Sequence, residues 1–139
     1  MKAVYPVYFT MVEDAILVEV PDLEILTEGK NMNDAIEMAR DAIELKCVTL
    51  EDRSMKIPEP SLISKLNPGE GTFAEDGDTI ISLVDIDSTE YRRRVDTKTV
   101  RRNVTLPSWL NYEAEHSGIN VSRVLQEALM NVLGVNKKI

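Results

Sequence analysis

The sequence predicts an α+β protein in two parts: a βββ-α-β body over residues 1–90 and a strand-helix-helix unit over residues 100–139, joined by a linker at 91–99. Three observations carry this. Two runs near the start are rich in β-branched and aromatic residues, and one apolar stripe at helical spacing follows them. After Val100 the pattern changes to a short alternating run, a proline and two capped helices.

The first strand spans Val4 to Thr10 and the second Ala15 to Val20, with Glu13-Asp14 as the turn of a hairpin. Pro21-Asp22 breaks the second strand, and Glu24 to Thr27 forms a short third one, ended by Gly29. Asn31 is a good helix N-cap, and Asp34 sits near the positive end of the helix dipole. Met32, Ala35, Ile36, Ala39, Ala42, Ile43 and Cys47 then recur at helical spacing, with Glu37, Arg40, Asp41 and Glu44 largely on the other face. This helix ends between Thr49 and Ser54. Pro58, Pro60, Asn67-Pro68-Gly69 and Gly71 mark a long loop with one short turn around Leu62 to Leu66. Asp78 to Asp85 returns to strand, and its apolar run Ile80 to Val84 reads as well covered. Tyr91 to Lys98 is charged and aperiodic; it reads as a linker whose three arginines also suit a phosphate backbone.

In the last part, Val104 and Leu106 point one way while Arg101, Asn103 and Thr105 point the other. Pro107 stops the strand and Ser108 caps a helix from Trp109 to Ser117, which Gly118 ends. Asn120 caps a second helix with an apolar face of Val121, Val124, Leu125, Ala128, Leu129 and Val132, closed by Gly134. One short strand and two helices are too small for a core, and a lone strand has two unpaired edges. Two copies solve both problems: their strands pair into a ribbon and their four helices share one core. A two-stranded ribbon fits the DNA major groove, where arginine pairs with guanine, asparagine with adenine, and threonine meets either base edge. Arg101, Asn103 and Thr105 are therefore the expected base contacts. Arg102 points inward by parity, to the dimer rim or a phosphate. Asn120, Val121, Ser122 and Arg123 open the second helix, whose free N–H groups and dipole suit a phosphate. The competing reading, an ordinary edge strand beside an αα-hairpin, explains the residues singly but not their order.

Net charge is −8, but residues 1–90 carry 20 acidic and 7 basic side chains, whereas residues 91–139 carry 4 and 9. The basic tail suits nucleic acid; the acidic body is either a solvated surface or a face for a cationic partner. One cysteine, Cys47, forms no internal disulfide and fits a reducing cytoplasm, and one histidine, His116, has no metal-binding partner motif. No run suits a membrane span, and no signal peptide is visible. Glu13, Asp14, Glu19, Asp22 and Glu24 lie near the strands without a metal-holding pattern. Phosphate loop, nucleophile elbow and Cys/His pair are all missing, so neither catalysis nor a cofactor is expected.

Residues 100–134 resemble the ribbon-helix-helix family of Arc and MetJ type. Tyr5-Pro-Val-Tyr-Phe-Thr10, Val18-Glu-Val-Pro-Asp-Leu23, Thr27-Glu-Gly29, Asp34-Ala35 and Ile57-Pro-Glu-Pro-Ser61 resemble the HicB-type antitoxins, and the two resemblances together span nearly the whole chain. The second family usually has Pro-Asp-Leu-Pro-Gly where this chain has Pro21-Asp22-Leu23-Glu24-Ile25. The resemblance implies a partial ribonuclease-H-like sheet that masks a small, basic, RNA-cleaving HicA-type toxin, and a C-terminal module that dimerises, or forms tetramers, on operator DNA. The strand before Pro107 selects ribbon-helix-helix over helix-turn-helix. The alternative is a stand-alone ribbon-helix-helix regulator whose N-terminal body senses a ligand. No motif in the sequence marks toxin-binding residues.

Overall fold

The computed structural model describes residues 1–95 and 99–135; residues 96–98 of the predicted linker and 136–139 of the predicted C-terminal module lie outside the described residues. The chain divides into two compact units, Met1–Asp96 and Thr97–Ile139.

In the first unit, strands β1 (Lys2–Met11), β2 (Ile16–Val20), β3 (Ile25–Gly29) and β4 (Asp78–Asp87) form one antiparallel sheet in the order β3-β2-β1-β4. The expected hairpin and third strand are present. β3 starts a residue later than the pattern predicts because Glu24, at φ 55°, closes a 3₁₀ turn at Pro21–Leu23. Helix α1 (Met32–Asp52) covers one face. Asn31 caps it as expected, its side chain accepting from the Asp34 N–H at 2.9 Å. Tyr5, Val7, Phe9, Val18, Val20, Val84 and Ile86 of the sheet meet Ala35, Ala39, Ile43 and Cys47 of α1 in one core. Gly29 is what lets β3 run into α1 so closely. A Cβ there would stand 2.4 Å from the Ala35 nitrogen and 2.5 Å from its Cα, both backbone atoms that cannot step aside.

Pro6 stands inside β1 without breaking a ladder. In antiparallel strands a residue turns its N–H and C=O to the same side, and successive residues alternate. The Val12 N–H donates to the Ala15 carbonyl at 3.1 Å, continuing the β1–β2 register, so even-numbered residues of β1 face β2. β1 continues past the end of β2 at Val20, so the missing N–H of Pro6 faces no strand.

The loop after α1 starts on the α1 side of the sheet, where Tyr5 and Ile57 join the core, and then reaches the other face at Glu19. The Tyr5 hydroxyl donates to the Pro58 carbonyl at 2.6 Å, Asp22 accepts from the Ser61 N–H at 2.8 Å and from its hydroxyl, and Glu19 accepts from the Thr72 N–H at 2.9 Å and hydroxyl at 2.6 Å. The expected short turn lies at Ile63–Lys65.

Three expectations for this unit need correction. β4 is an edge strand, and Ile80 and Leu83 are exposed, because an apolar run cannot tell a central strand from an edge. Glu44 is buried, reached by Arg94 at 3.3 Å. Residues 91–95 are not linker: helix α2 (Ser88–Val95) follows β4 directly. Its arginines, expected to suit phosphate, are taken up within the chain. Arg92 pairs with Glu51 (3.2 Å) and Asp52 (2.9 Å), Arg93 with Glu90, and Arg94 with Asp41 and Glu44. These partners are mostly 40 to 50 residues away in sequence, beyond any local periodicity.

The second unit contains α3 (Ser108–His116) and α4 (Val121–Leu133). Pro107 is the N-cap of α3 and no side chain caps it, so Ser108 is the first helical residue rather than the cap. Gly118 and Gly134 take the left-handed conformation, at φ 72° and 69°, as helix-ending glycines do. The expected strand at Arg101 to Leu106 is not formed: residues 99–107 carry no regular secondary structure. A strand exists only against a partner strand, and among the described residues of one chain this segment has none.

Candidate functional site

The predicted DNA-facing residues sit on this unpaired segment. Arg101, Arg102, Asn103, Val104 and Thr105 are all exposed, and Leu106 is half-buried. No geometry brings Arg101, Asn103 and Thr105 onto one face, since the alternation that would do so requires a strand.

The predicted phosphate-binding group is better organised. The Asn120 side chain accepts from the Arg123 N–H at 3.0 Å, and the Asn120 carbonyl accepts from the Val124 N–H at 3.1 Å. Asn120 is thus a working cap, and among the described residues the N–H groups of Val121 and Ser122 remain free at the positive end of α4. The Arg123 guanidinium leans along the helix to Glu127, 3.3 Å away, an exposed pair that a phosphate can displace at small cost.

The most telling feature of this unit is what it fails to bury. No residue of α3 or α4 is buried. Val124, Leu125, Leu129 (58 % exposed) and Val132 (83 %) form one stripe on α4, and Trp109, Leu110 and Ile119 are uncovered as well. An amphipathic face of this width belongs against another surface.

In the first unit, two of the carboxylates considered for chemistry serve the fold: Glu19 and Asp22 anchor the long loop. Burial also shapes three titratable groups. It pushes the Tyr5 phenol up to about 12, with further increments from Cys47, and raises Tyr8 and the Cys47 thiol. At the surface, the hydrogen bond and charge of Arg40 hold Asp85 below the usual carboxylate range. These groups do not form a nucleophile–base pair, and among the described residues no three of His, Cys, Asp and Glu converge as metal ligands. No helix of the described residues is long and apolar enough to cross a membrane.

Sequence reasoning missed Arg92 and Arg94 of α2 as clamps on α1. With α2 assigned to the first unit, residues 1–96 carry 21 acidic and 10 basic side chains, net −11, and residues 97–139 carry 3 and 6, net +3. The charge split survives in reduced form.

The chain thus joins an acidic sheet body of net −11 to a small basic helical unit with an exposed apolar stripe, a combination without catalytic features among the described residues. The chain belongs to the HicB-like antitoxin family: the family model described as "HicB_like antitoxin of bacterial toxin-antitoxin system" matches residues 5–127. This is a family of antitoxins, not of enzymes. Among solved structures, the chain is similar to one from a toxin-antitoxin complex of Streptococcus pneumoniae. The two are 24 % identical with a TM-score of 0.60, over 94 % of this chain and 99 % of the other. It is also similar to the Burkholderia pseudomallei antitoxin HicB, 22 % identical with a TM-score of 0.50, over 96 % of this chain and 98 % of the other. At these identities the likeness is one of fold. No curated protein matches the chain.

Proposed function

We propose that this antitoxin neutralises a small, basic, RNA-cleaving toxin of HicA type through its acidic N-terminal body, and represses its own operon through its C-terminal module. The body, with its helix on one face of a four-stranded sheet, is read as the partial ribonuclease-H-like domain. The module forms a homodimer in the cytoplasm. Two copies pair their segments before Pro107 into a ribbon that presents Arg101, Asn103 and Thr105 to base edges. Arg102 and the start of α4, from Asn120 to Arg123, meet phosphates. Dimers on adjacent half-sites give a tetramer.

One observation carries the reading. Among the described residues the apolar stripe of α4 has no cover and the segment before Pro107 has no strand partner. A second copy supplies both at once. The family supplies the other half, since an antitoxin acts on a toxin and opposite charge speeds such an encounter.

The test uses the full chain, the small basic protein encoded beside it and the DNA upstream of the pair. The chain should bind both. Arg101→Ala or Asn103→Ala should cost about 1–3 kcal/mol on the cognate site and relax base preference there. Arg123→Ala should weaken cognate and random DNA alike and flatten the salt dependence. Equal losses on both DNA types for Arg101 and Asn103 would mean that the reading face is misassigned. A chain with no toxin gene beside it, whose operator affinity responds to a small ligand, would instead be a stand-alone regulator.

A further inference from the structure

The sheet of the first unit has two edges, and they differ. β3 is five residues long; β4 is ten, in unbroken register with β1 from Lys2↔Asp87 to Met11↔Asp78, with no bulge, proline or lysine to blunt it. Odd-numbered residues of β1 face β4 and pair with its even-numbered residues. The Ser88 N–H, donating to the Met1 carbonyl at 2.9 Å, continues that phase. The odd-numbered residues of β4 therefore turn their backbone outward. Asp85 demonstrates it: its carbonyl accepts from Arg40 Nε at 3.1 Å, while its carboxylate takes Arg40 Nη2 at 3.0 Å. Arg40 thus caps one end of the edge. Thr79, Ile81 and Leu83 present three more outward N–H and C=O pairs, and no group among the described residues takes them. Exposed apolar side chains flank this stretch on both faces, Ile80 on the α1 side and Leu83 (55 % exposed) on the other.

Charge selects the occupant. Asp78 opens β4, the Glu13-Asp14 turn lies just beyond its β1 partner Met11, and Glu75-Asp76 lead into the strand. None of these five carboxylates is in an ion pair among the described residues. A second body of net −11 is repelled here, whereas a basic chain is drawn in.

We infer that the open half of β4, Thr79 to Leu83, receives an extended cationic segment of the toxin as a fifth strand, with the Arg40–Asp85 pair as its stop. This rests on the reading of the body as the toxin-binding part. Backbone hydrogen bonds supply affinity, Ile80 and Leu83 supply apolar cover, and the acidic end supplies direction.

The test is calorimetric titration of the full chain with the neighbour-encoded toxin. Leu83→Pro deletes an outward N–H that the β1–β4 ladder does not use, so the sheet should stand. Toxin affinity should fall about 10- to 100-fold. Leu83→Ile keeps both the N–H and the apolar cover and should stay within about threefold of wild type. Hydrogen exchange on the wild-type complex gives an independent measure that does not depend on a folded proline variant: the amides of Thr79, Ile81 and Leu83 should gain protection on toxin binding. Unchanged binding by a folded Leu83→Pro chain, or no gain at those three amides, overturns the assignment while leaving the antitoxin reading intact. Protection that rises with chain concentration before toxin is added assigns the edge to a second copy and overturns it too. Failure of the wild-type chain to bind the toxin at all overturns the underlying reading.

Discussion

Two leucines on this chain are almost equally exposed, Leu129 on α4 at 58 % and Leu45 on α1 at 55 %, and the proposed assembly treats them in opposite ways. Leu129 lies on the stripe that a second copy should cover. Leu45 lies on a helix whose buried side is already occupied by the sheet. Full burial of a leucine side chain is worth about 1.5–3 kcal/mol. Covering the exposed share of Leu129 is then worth about 1–1.7 kcal/mol per chain and about 2–3.5 kcal/mol per dimer. Leu129→Ala should weaken self-association about 30- to 300-fold. Alanine is the best helix former, so α4 should survive and the loss would report on the interface rather than on the helix. Sedimentation equilibrium of the full-length chain measures the constant directly, with Leu45→Ala as the control that should leave it unchanged. Equal dimerisation by wild type and Leu129→Ala would refute the reasoning, since it would place the contact between copies away from the α4 stripe. Equal weakening by both variants would mean that the dimer forms through the body.

The remaining predictions concern the body. The Tyr5 phenol, held near 12 against an ordinary 10.0, stays protonated in the folded chain while the unfolded chain ionises. Its contribution is complete below pH 10 and is lost as pH rises to 12, a fall of about 2–3 kcal/mol. Urea midpoints between pH 9 and 12 should therefore drop steeply for wild type and less for Tyr5→Phe, with a residual slope from Tyr8; parallel slopes would contradict the assignment. Arg94→Ala strands the buried Glu44 carboxylate. With Arg94 itself half exposed, the cost should be about 1–2 kcal/mol, below that of a fully buried pair. Adding Glu44→Gln should restore most of it in urea unfolding, and an Arg94→Ala chain as stable as wild type would show that the pair adds nothing.

Much of the body was legible because its signals are local. Asn31 sits where a cap belongs, the stripe from Met32 to Cys47 repeats at helical spacing, and Gly29 stops β3 where α1 presses against it. Three features were not legible, each for a separate physical reason. An apolar run such as Ile80 to Val84 reports strand but not its place in the sheet, so nothing in it separates this exposed edge from a covered strand. The helicity of Tyr91 to Val95 depends on carboxylates on a helix far back in sequence, and without them the same residues read as linker. Alternation before Pro107 does not make a strand without a partner, and among the described residues this segment has none, so Arg101, Asn103 and Thr105 remain exposed without a common face.

Composition also overstates how much of the acidic surface is free to attract a partner. Glu19 and Asp22 hold the loop over the sheet. Asp41, Glu44, Glu51 and Asp52 hold α2, and Asp85 holds Arg40. These seven carboxylates already face donors at hydrogen-bonding or ion-pair distance, and a cation arriving at them must first displace what is there. Glu13, Asp14, Glu75, Asp76 and Asp78 face nothing comparable among the described residues, and all five gather at one end of β1 and β4. A net charge of −11 spread evenly would steer a basic partner to no particular place. Glu24, Glu37, Glu59 and Glu70 are likewise without ion pairs among the described residues, but the group of five at the end of β1 and β4 places an acidic cluster where the backbone of β4 is also free.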